Sequence, residues 1–538
     1  MFSSPALRSL CLLLLALALA TPVLVVAGSW LAGASPNWGH LSSTVLPSYL
    51  RHSLFLALFT GTGTLLIGVA AAWAVSRFRF PGRRVLEWAL LLPLACPAYL
   101  IAYTWTGMLA SEGALQQALP LPLPDIRSPA GAGLMLTLVL YPYVYLMTRA
   151  AFVSQSAVAL EVARTLGAGP WRRFFRVALP LARPAIIAGL ALVLMETLAD
   201  YGTVAYFGVP TLSTGIYRTW FGLGDAMAAA QLAGVLLLAM VVLLTLERRA
   251  RKERRISVAS ARAAAPLPLG RGPGLLLAAA LWLPVLLGFI LPALQLLVWS
   301  LPRWRDLAEP GFLGLLGTSL LIALCTALAA TGLGLLLIWA RRLRGDRPRR
   351  LAAGLAGFGY AVPGTVLAVG VVLVLASLDH GLNDLLASVG LPEPGLLFSG
   401  TLFAVVFACT VRFLTIPIQG LDAGLQNLSP NLDNAARSLG TASLPMLRRV
   451  HLPLLRVPLA TSALLVFVDT LKELPAALVL RPFNTNTLAV RAFELASDER
   501  LADAALPALT ILLAGVAPVI LLTRSIRNPH QESPHADH

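Results

Sequence analysis

The sequence runs to 538 residues, of which 57% are hydrophobic and 12% charged, with a mean hydropathy of +0.78. That balance excludes a water-soluble globular protein, whose surface needs about twice the charged fraction, and apolar runs of about 20 residues, each long enough to cross about 30 Å of hydrocarbon, recur throughout. Nor does the net charge of +16 mark a nucleic-acid partner: the basic residues stand in short clusters between apolar runs, such as Arg77 to Arg84 and Arg248 to Arg255, a pattern that sets orientation in a lipid bilayer.

In chain order the apolar runs predict twelve spans, centred near residues 21, 65, 98, 142, 194, 238, 287, 328, 364, 407, 468 and 513. The first, Leu10 to Ala34, has the Arg8 flank and the small residues Ala27 and Gly28 of a signal peptide. Its apolar core exceeds the usual 7 to about 15 residues, so it reads as an uncleaved anchor. Loops 77–84, 154–183, 248–273, 341–350 and 418–456 together hold 27 Lys and Arg, against roughly 8 in the alternate loops; this bias places that set, and both termini, in the cytoplasm. Residues 248–273, basic and then rich in Ala, Pro and Gly, read as a linker, and the histidine-containing tail as a disordered end. Cys11, Cys96, Cys325 and Cys409 stand singly in apolar runs and read as packing residues.

The chain repeats itself. Residues 53–60 (SLFLALFT) match 319–326 (SLLIALCT), and Pro97 falls on Pro363 at the same offset of 266; residues 163–167 (ARTLG) match 436–440 (ARSLG), and Leu179-Pro180 matches Leu452-Pro453, at an offset of 273. Six spans separate equivalent points, so both copies face the same way. The expected fold is an all-α membrane protein of about twelve transmembrane helices, two tandem six-helix units related by a pseudo-twofold axis along the membrane normal. The expected division is 1–52 as anchor and outward loop, 53–247 as the first unit, 248–273 as linker, 274–316 as seventh span and outward loop, 317–523 as the second unit, and 524–538 as tail.

The cytoplasmic segments after spans four and ten are too regular for passive connectors. In the first, Ala157 to Leu166 predicts a helix that Gly167 stops in a left-handed turn; Gly169-Pro170 opens a second helix, and Pro180 ends it. In the second, Ser429-Pro430 starts the helix, Gly440 stops it, Ser443 caps the next and Pro453 closes it. Two short helices at a rigid glycine corner make a protrusion suited to docking.

The run Glu161-Val162-Ala163-Arg164-Thr165-Leu166-Gly167, with Leu179-Pro180 after it, resembles the EAA loop of permeases in ATP-binding-cassette importers. The resemblance covers roughly 53–247 and 317–523. It implies a type I importer permease whose coupling loops dock two copies of an ATP-binding subunit, with a periplasmic solute-binding protein on the other side of a bacterial inner membrane. On that resemblance Glu161, Ala163, Gly167 and Pro180, with Asn434, Ala436, Gly440 and Pro453, are the coupling-loop residues. The second copy departs in carrying Asn434 where the first has Glu161, which implies asymmetric docking.

Within spans five and eleven, Glu196 and Asp200 recur as Asp469 and Glu473. Spacing by four puts each pair on one helix face, and the cost of a carboxylate in lipid turns them inward. They either line a path for a cationic substrate or pair with Lys472 and nearby Arg as ties between helices. With residues 196–203 (ETLADYGT), 469–475 (DTLKELP), 207–217 and 480–488, these segments resemble ferric-iron permeases, in which two-half fusions are common. The architecture is also similar to thiamine and phosphonate permeases. The two lysines, Lys252 and Lys472, follow no Gly in a phosphate-binding loop, and no catalytic motif, metal-ligand spacing or cofactor motif is found, so ATP hydrolysis is assigned to a partner. A major-facilitator-type secondary transporter also has six plus six spans but does not explain the duplicated loop. A scaffold without cargo leaves the intramembrane acids unexplained.

Overall fold

A computed structural model describes residues 5–118, 125–154, 162–163, 165–252, 266–343, 346–357, 359, 362–426 and 428–527. Glu161, residues 253–265 of the expected linker and 528–538 of the tail lie outside them. Among the described residues the chain is helical but for Phe78–Arg79 and Leu267–Pro268, two short strands paired in parallel.

Among the described residues ten helices are long and apolar enough to cross a membrane, and two bent helix pairs bring the number to twelve if each pair crosses once. The count agrees with the sequence, but the third and tenth apolar runs are bent, and the ninth is displaced. Arg83–Ala95 meets Ala98–Leu109 at 92°, with Cys96 extended (φ −105°, ψ 122°) before Pro97. Proline has no N–H to give a helix and pushes its predecessor out of the helical region. The matching Pro363 begins the helix Gly364–Ser388, so the ninth span starts, rather than centres, near residue 364. Span ten bends by 43° between Leu402–Phe413 and Thr415–Gln426.

By packing, the chain forms two compact units that do not follow the order of the repeat. The first gathers residues up to Ser35, Thr219–Leu237 and Asp306–Arg491. Here the second copy's helices Arg347–Ala356 and Gly364–Ser388 pack on the chain's first helix, Pro5–Gly28. Gly370 lets the backbone of Pro22 come so close that any side chain would strike its carbonyl, and the Ser9 hydroxyl donates to Asp346 (3.2 Å).

The other unit gathers Pro36–Arg218, Leu238–Arg305 and residues from Ala492 on. Its centre is the pairing of Leu46–Arg77 with Pro129–Ser154. A methyl added at Gly68 would lie 2.8 Å from Val144 Cβ, the small-residue contact by which helices approach in lipid, where no hydrophobic force drives them together. Helices Leu291–Ser300 and Leu501–Arg527 complete it. Outward stripes such as Leu54, Leu58 and Leu66 stay exposed, as a hydrocarbon solvent permits.

Candidate functional site

Over their described residues, which leave out 155–161 and 164, the two segments read as coupling loops fold alike. In the first, Leu166 N donates to Val162 O (3.0 Å), Gly167 turns left-handed (φ 76°), and Ala168 N reaches back to Ala163 O (2.9 Å). In the second, Gly440 has φ 74° and Thr441 N donates to Ala436 O (3.0 Å). Both are helix ends closed by a six-to-one bond over a left-handed glycine. Nothing lies within 4 Å of a Cβ built at either glycine, so the backbone angle, not crowding, selects Gly there. Ala163 and Ala436 supply the carbonyls that close the corners.

Beyond each corner the chain departs from the expected pair of short helices. Pro170–Arg173 and Ser443–Met446 form single helical turns, and wider π turns, Phe174–Ala178 and Leu447–His451, carry the chain directly into Leu179–Ala199 and Leu452–Leu471. Pro180 and Pro453 therefore end nothing. Each is the second residue of the long helix, where a missing N–H and a fixed φ are tolerated because the π turn has already released the carbonyl that proline would clash with. Each elbow is thus one continuous lever with its span, 170–199 and 443–471. Ser443 is also not the cap: Ala442 precedes the helix and no side chain caps it. Ser429 does cap, its hydroxyl accepting from Asn431 N (3.3 Å).

At both corners an apolar side chain stands in the open: Leu166 is 81% and Leu439, its repeat partner, 84% exposed, with Trp171 and Leu444 exposed one turn later. The anchoring beneath differs. Under the first elbow Phe174 packs on Trp73 (ring centroids 5.0 Å), which also meets Phe152 (5.2 Å). Under the second, Arg342 Nε donates to Asp433 Oδ2 (2.8 Å) and its terminal nitrogens to the carbonyls of Leu425 (2.6 Å) and Leu428 (3.0 Å). His451 Nε2 lies 2.9 Å from Asp433 Oδ1. Burial opposes ionisation of Asp433, but hydrogen bonds and charge from Arg342 and His451 hold its carboxyl below the usual range. Asn434 is exposed beside it. Sequence reasoning compared Asn434 with Glu161 and missed Asp433, one residue earlier; nothing local flags an acid whose partners stand 91 and 18 residues away.

The intramembrane acids do not share a helix face. Both span helices stop before the second acid: Asp200 comes after the last helical residue, Ala199, in extended conformation, and Glu473 comes after Lys472. Each instead stands one residue before the N-cap of the next short helix and accepts from its first turn. Asp200 accepts from Thr203 Oγ1 (3.0 Å) and Val204 N (3.1 Å), and Glu473 from Ala476 N (3.2 Å); to do so the carboxylate must leave the preceding helix. Glu473, 6% exposed, also binds Arg412 Nη1 (2.7 and 2.8 Å) in a tie to helix Leu402–Phe413, in space that any side chain at Gly364 would fill. Asp469 pairs with Lys472 (2.8 Å). The repeat offsets of 273 and 266 put Val139 or Leu146, neither charged, opposite Arg412, and Asp200 has no ion-pair partner among the described residues. Glu196 is half-buried one turn before it. Among the described residues no group of three or more His, Cys, Asp or Glu is placed to hold a metal ion.

Comparison with known proteins gives the arrangement a context. The family described as the binding-protein-dependent transport system inner membrane component matches twice, at residues 64–252 and 330–528. The chain is 26% identical over 483 residues to the Fe(3+)-transport system permease protein FbpB 2 of Haemophilus influenzae, covering 88% of this chain and 89% of the relative. It is 27% identical over 518 residues to the thiamine transport system permease protein ThiP of Salmonella typhimurium, covering 90% of each. The molybdenum transport system permease protein ModB of Escherichia coli is 31% identical over 228 residues, 41% of this chain and 96% of that protein.

Proposed function

The chain belongs to the family of binding-protein-dependent inner-membrane transport components, with the family's unit present twice, and from that premise we propose that it supplies the whole transmembrane part of an ATP-driven importer of ferric iron. Two copies of an ATP-binding subunit dock on the elbows, both termini lie in the cytoplasm, and a periplasmic binding protein delivers the cargo to the outward loops, 205–228 and 481–502. The observation that carries this reading is the repeated elbow: the same left-handed corner and exposed leucine, joined through a π turn to a membrane-spanning helix without a break.

Coupling rests on that continuity. Nucleotide-driven movement of a docked subunit displaces Leu166 or Leu439, and because the elbow runs on into 170–199 or 443–471, the span moves with it. The six-to-one hydrogen bond across each glycine turn holds the corner angle, so the displacement is not absorbed there. Ferric iron is the reading favoured by the full-length likeness to the Haemophilus protein, and Asp200, uncompensated by a nearby cation, suits a positively charged cargo. Thiamine, also a cation, is the second reading, on the equally complete likeness to ThiP.

The test is a pull-down of tagged chain from solubilised membranes, then uptake of radiolabelled ferric iron and thiamine by cells with and without the gene. Recovery of an ATP-binding subunit, with iron uptake lost on deletion and thiamine uptake kept, is expected. Loss of thiamine uptake alone would replace the cargo, and recovery of no ATP-binding subunit would remove the importer reading.

A further inference from the structure

The second elbow carries a device that is not found among the described residues of the first. Arg342, at the cytoplasmic end of helix Pro310–Leu343, forks across the ends of two segments: Nη1 and Nη2 take the carbonyls of Leu425 and Leu428, where span ten ends, while Nε takes Asp433 of the elbow helix Pro430–Ser438. Asp433 is 7% exposed and its other oxygen is held by His451, which is fully buried in the π turn at the root of span eleven. Two membrane helices and the elbow thus meet on one carboxylate, and Arg342 ties the end of a third to it. At the first elbow, the residues matching Arg342 and His451 in the repeat are Ser76 and Ala178, neither of which can form such a link.

A guanidinium satisfied by three acceptors at fixed angles resists shear in a way that interchangeable apolar contacts do not, because each donor has one direction. Burial sharpens this, since breaking one arm leaves a charge without water or a partner. His451 Nδ1 is buried with no hydrogen-bond partner, so the ring is held at that site only through Nε2 and Asp433.

Resting on the reading of this segment as a coupling elbow, we infer that Arg342, Asp433 and His451 form a clasp that makes the second elbow one rigid body with spans eight, ten and eleven, and that Arg342 and His451 are positioning residues for energy coupling rather than contacts for the ATP-binding subunit. Movement imposed at Leu439 reaches the membrane helices through the clasp as well as through the continuous helix. Without it movement passes through the continuous helix alone, and flexing at the wide π turn lets the spans follow the elbow less closely.

The test uses the full chain with its co-purifying ATP-binding subunit. Spin labels at Ser438→Cys and Leu336→Cys, in a chain whose native cysteines are replaced by Ser, report the distance from elbow to span eight with and without ATP. The unmodified clasp should give one narrow distance that ATP leaves unchanged. Arg342→Met with His451→Leu should broaden it and make it shift with ATP. The same variant, assayed with the cargo that wild type takes up, should retain the ATP-binding subunit but move about tenfold less cargo per ATP hydrolysed. His451→Gln, whose amide can donate to Asp433 from the same place, should keep coupling, and it stands in if the double variant does not fold. A distance that shifts with ATP in wild type, an unchanged cargo-to-ATP ratio in the double variant, or loss of the ATP-binding subunit from that variant overturns the clasp. Absence of any ATP-binding subunit from the wild type is a different failure, that of the importer reading itself.

Discussion

The two elbows share a backbone and differ in what holds it. The first rests on Trp73, Phe152 and Phe174, rings that contribute about 0.5–1.5 kcal/mol per pair beyond their burial and can slide a little without losing contact. The second is tied by a carboxylate shared between Arg342 and His451, where small displacements break a charged hydrogen bond. Duplication thus preserved the element that must have one shape, the glycine corner, and let its support diverge. On the proposed importer reading, the corner sets what a docked subunit meets, and the support sets how stiffly that contact is passed on.

The largest effect should fall on what the elbows share. Gly167→Val or Gly440→Val forces a β-branched residue into a left-handed turn, costing roughly 1–2 kcal/mol or more in the corner itself, and should reduce uptake to background while membrane levels of the protein stay normal on immunoblot. Retained uptake in either single variant would show that one corner suffices and end the equivalence. Next is the aromatic support: Phe174→Ala, at a half-buried position, should loosen the first elbow by about 2 kcal/mol, read as faster backbone hydrogen exchange over 166–178 with none over 439–451.

A smaller effect is expected from turning the second support into the first's chemistry. Arg342→Met, Asp433→Leu and His451→Leu together remove the buried charges along with their partners and should leave stability within about 1 kcal/mol of wild type, measured as the thermal midpoint of the purified protein. A large loss would mean that the carbonyls of Leu425 and Leu428 depend on Arg342 more than the carboxylate does. The smallest concerns acid. The Asp433 carboxyl is held below its ordinary value of about 3.9, so the stability it contributes is complete above that value and is lost as pH falls through the lowered one. Proteolysis of the second elbow should accelerate only below about pH 4, while the described support of the first is aromatic rings that do not titrate, and it should respond less. Equal acceleration at both would dissolve the distinction.

Much of this was legible in the sequence because it is local. Gly167 and Gly440 announce a left-handed turn wherever a helical pattern stops, and apolar runs bounded by Arg announce spans. Pro180 and Pro453 misled because the rule that proline ends a helix assumes α geometry, and five residues of π turn before each remove the clash. The acids misled in a related way: spacing by four implies one face only while the helix continues, and Asp200 and Glu473 lie just past its end. The clasp was illegible for a different reason. Arg342 reads as one more cytoplasmic arginine and His451 as a lone histidine, and only the packing of helices far apart in sequence puts both on Asp433.

The close crossing of Pro22 and Gly370 has a consequence for how the protein is made. The first helix leaves the ribosome long before the helix it packs against, roughly 350 residues later, and at about 5–20 residues per second that interval is on the order of half a minute. Throughout it the nascent helix has the face that packs on Gly370 uncovered, open to lipid, to other chains or to the insertion machinery. Biogenesis of this chain is therefore paced by translation, and a synonymous change that stalls synthesis between the two copies would lengthen the exposure without altering a single residue.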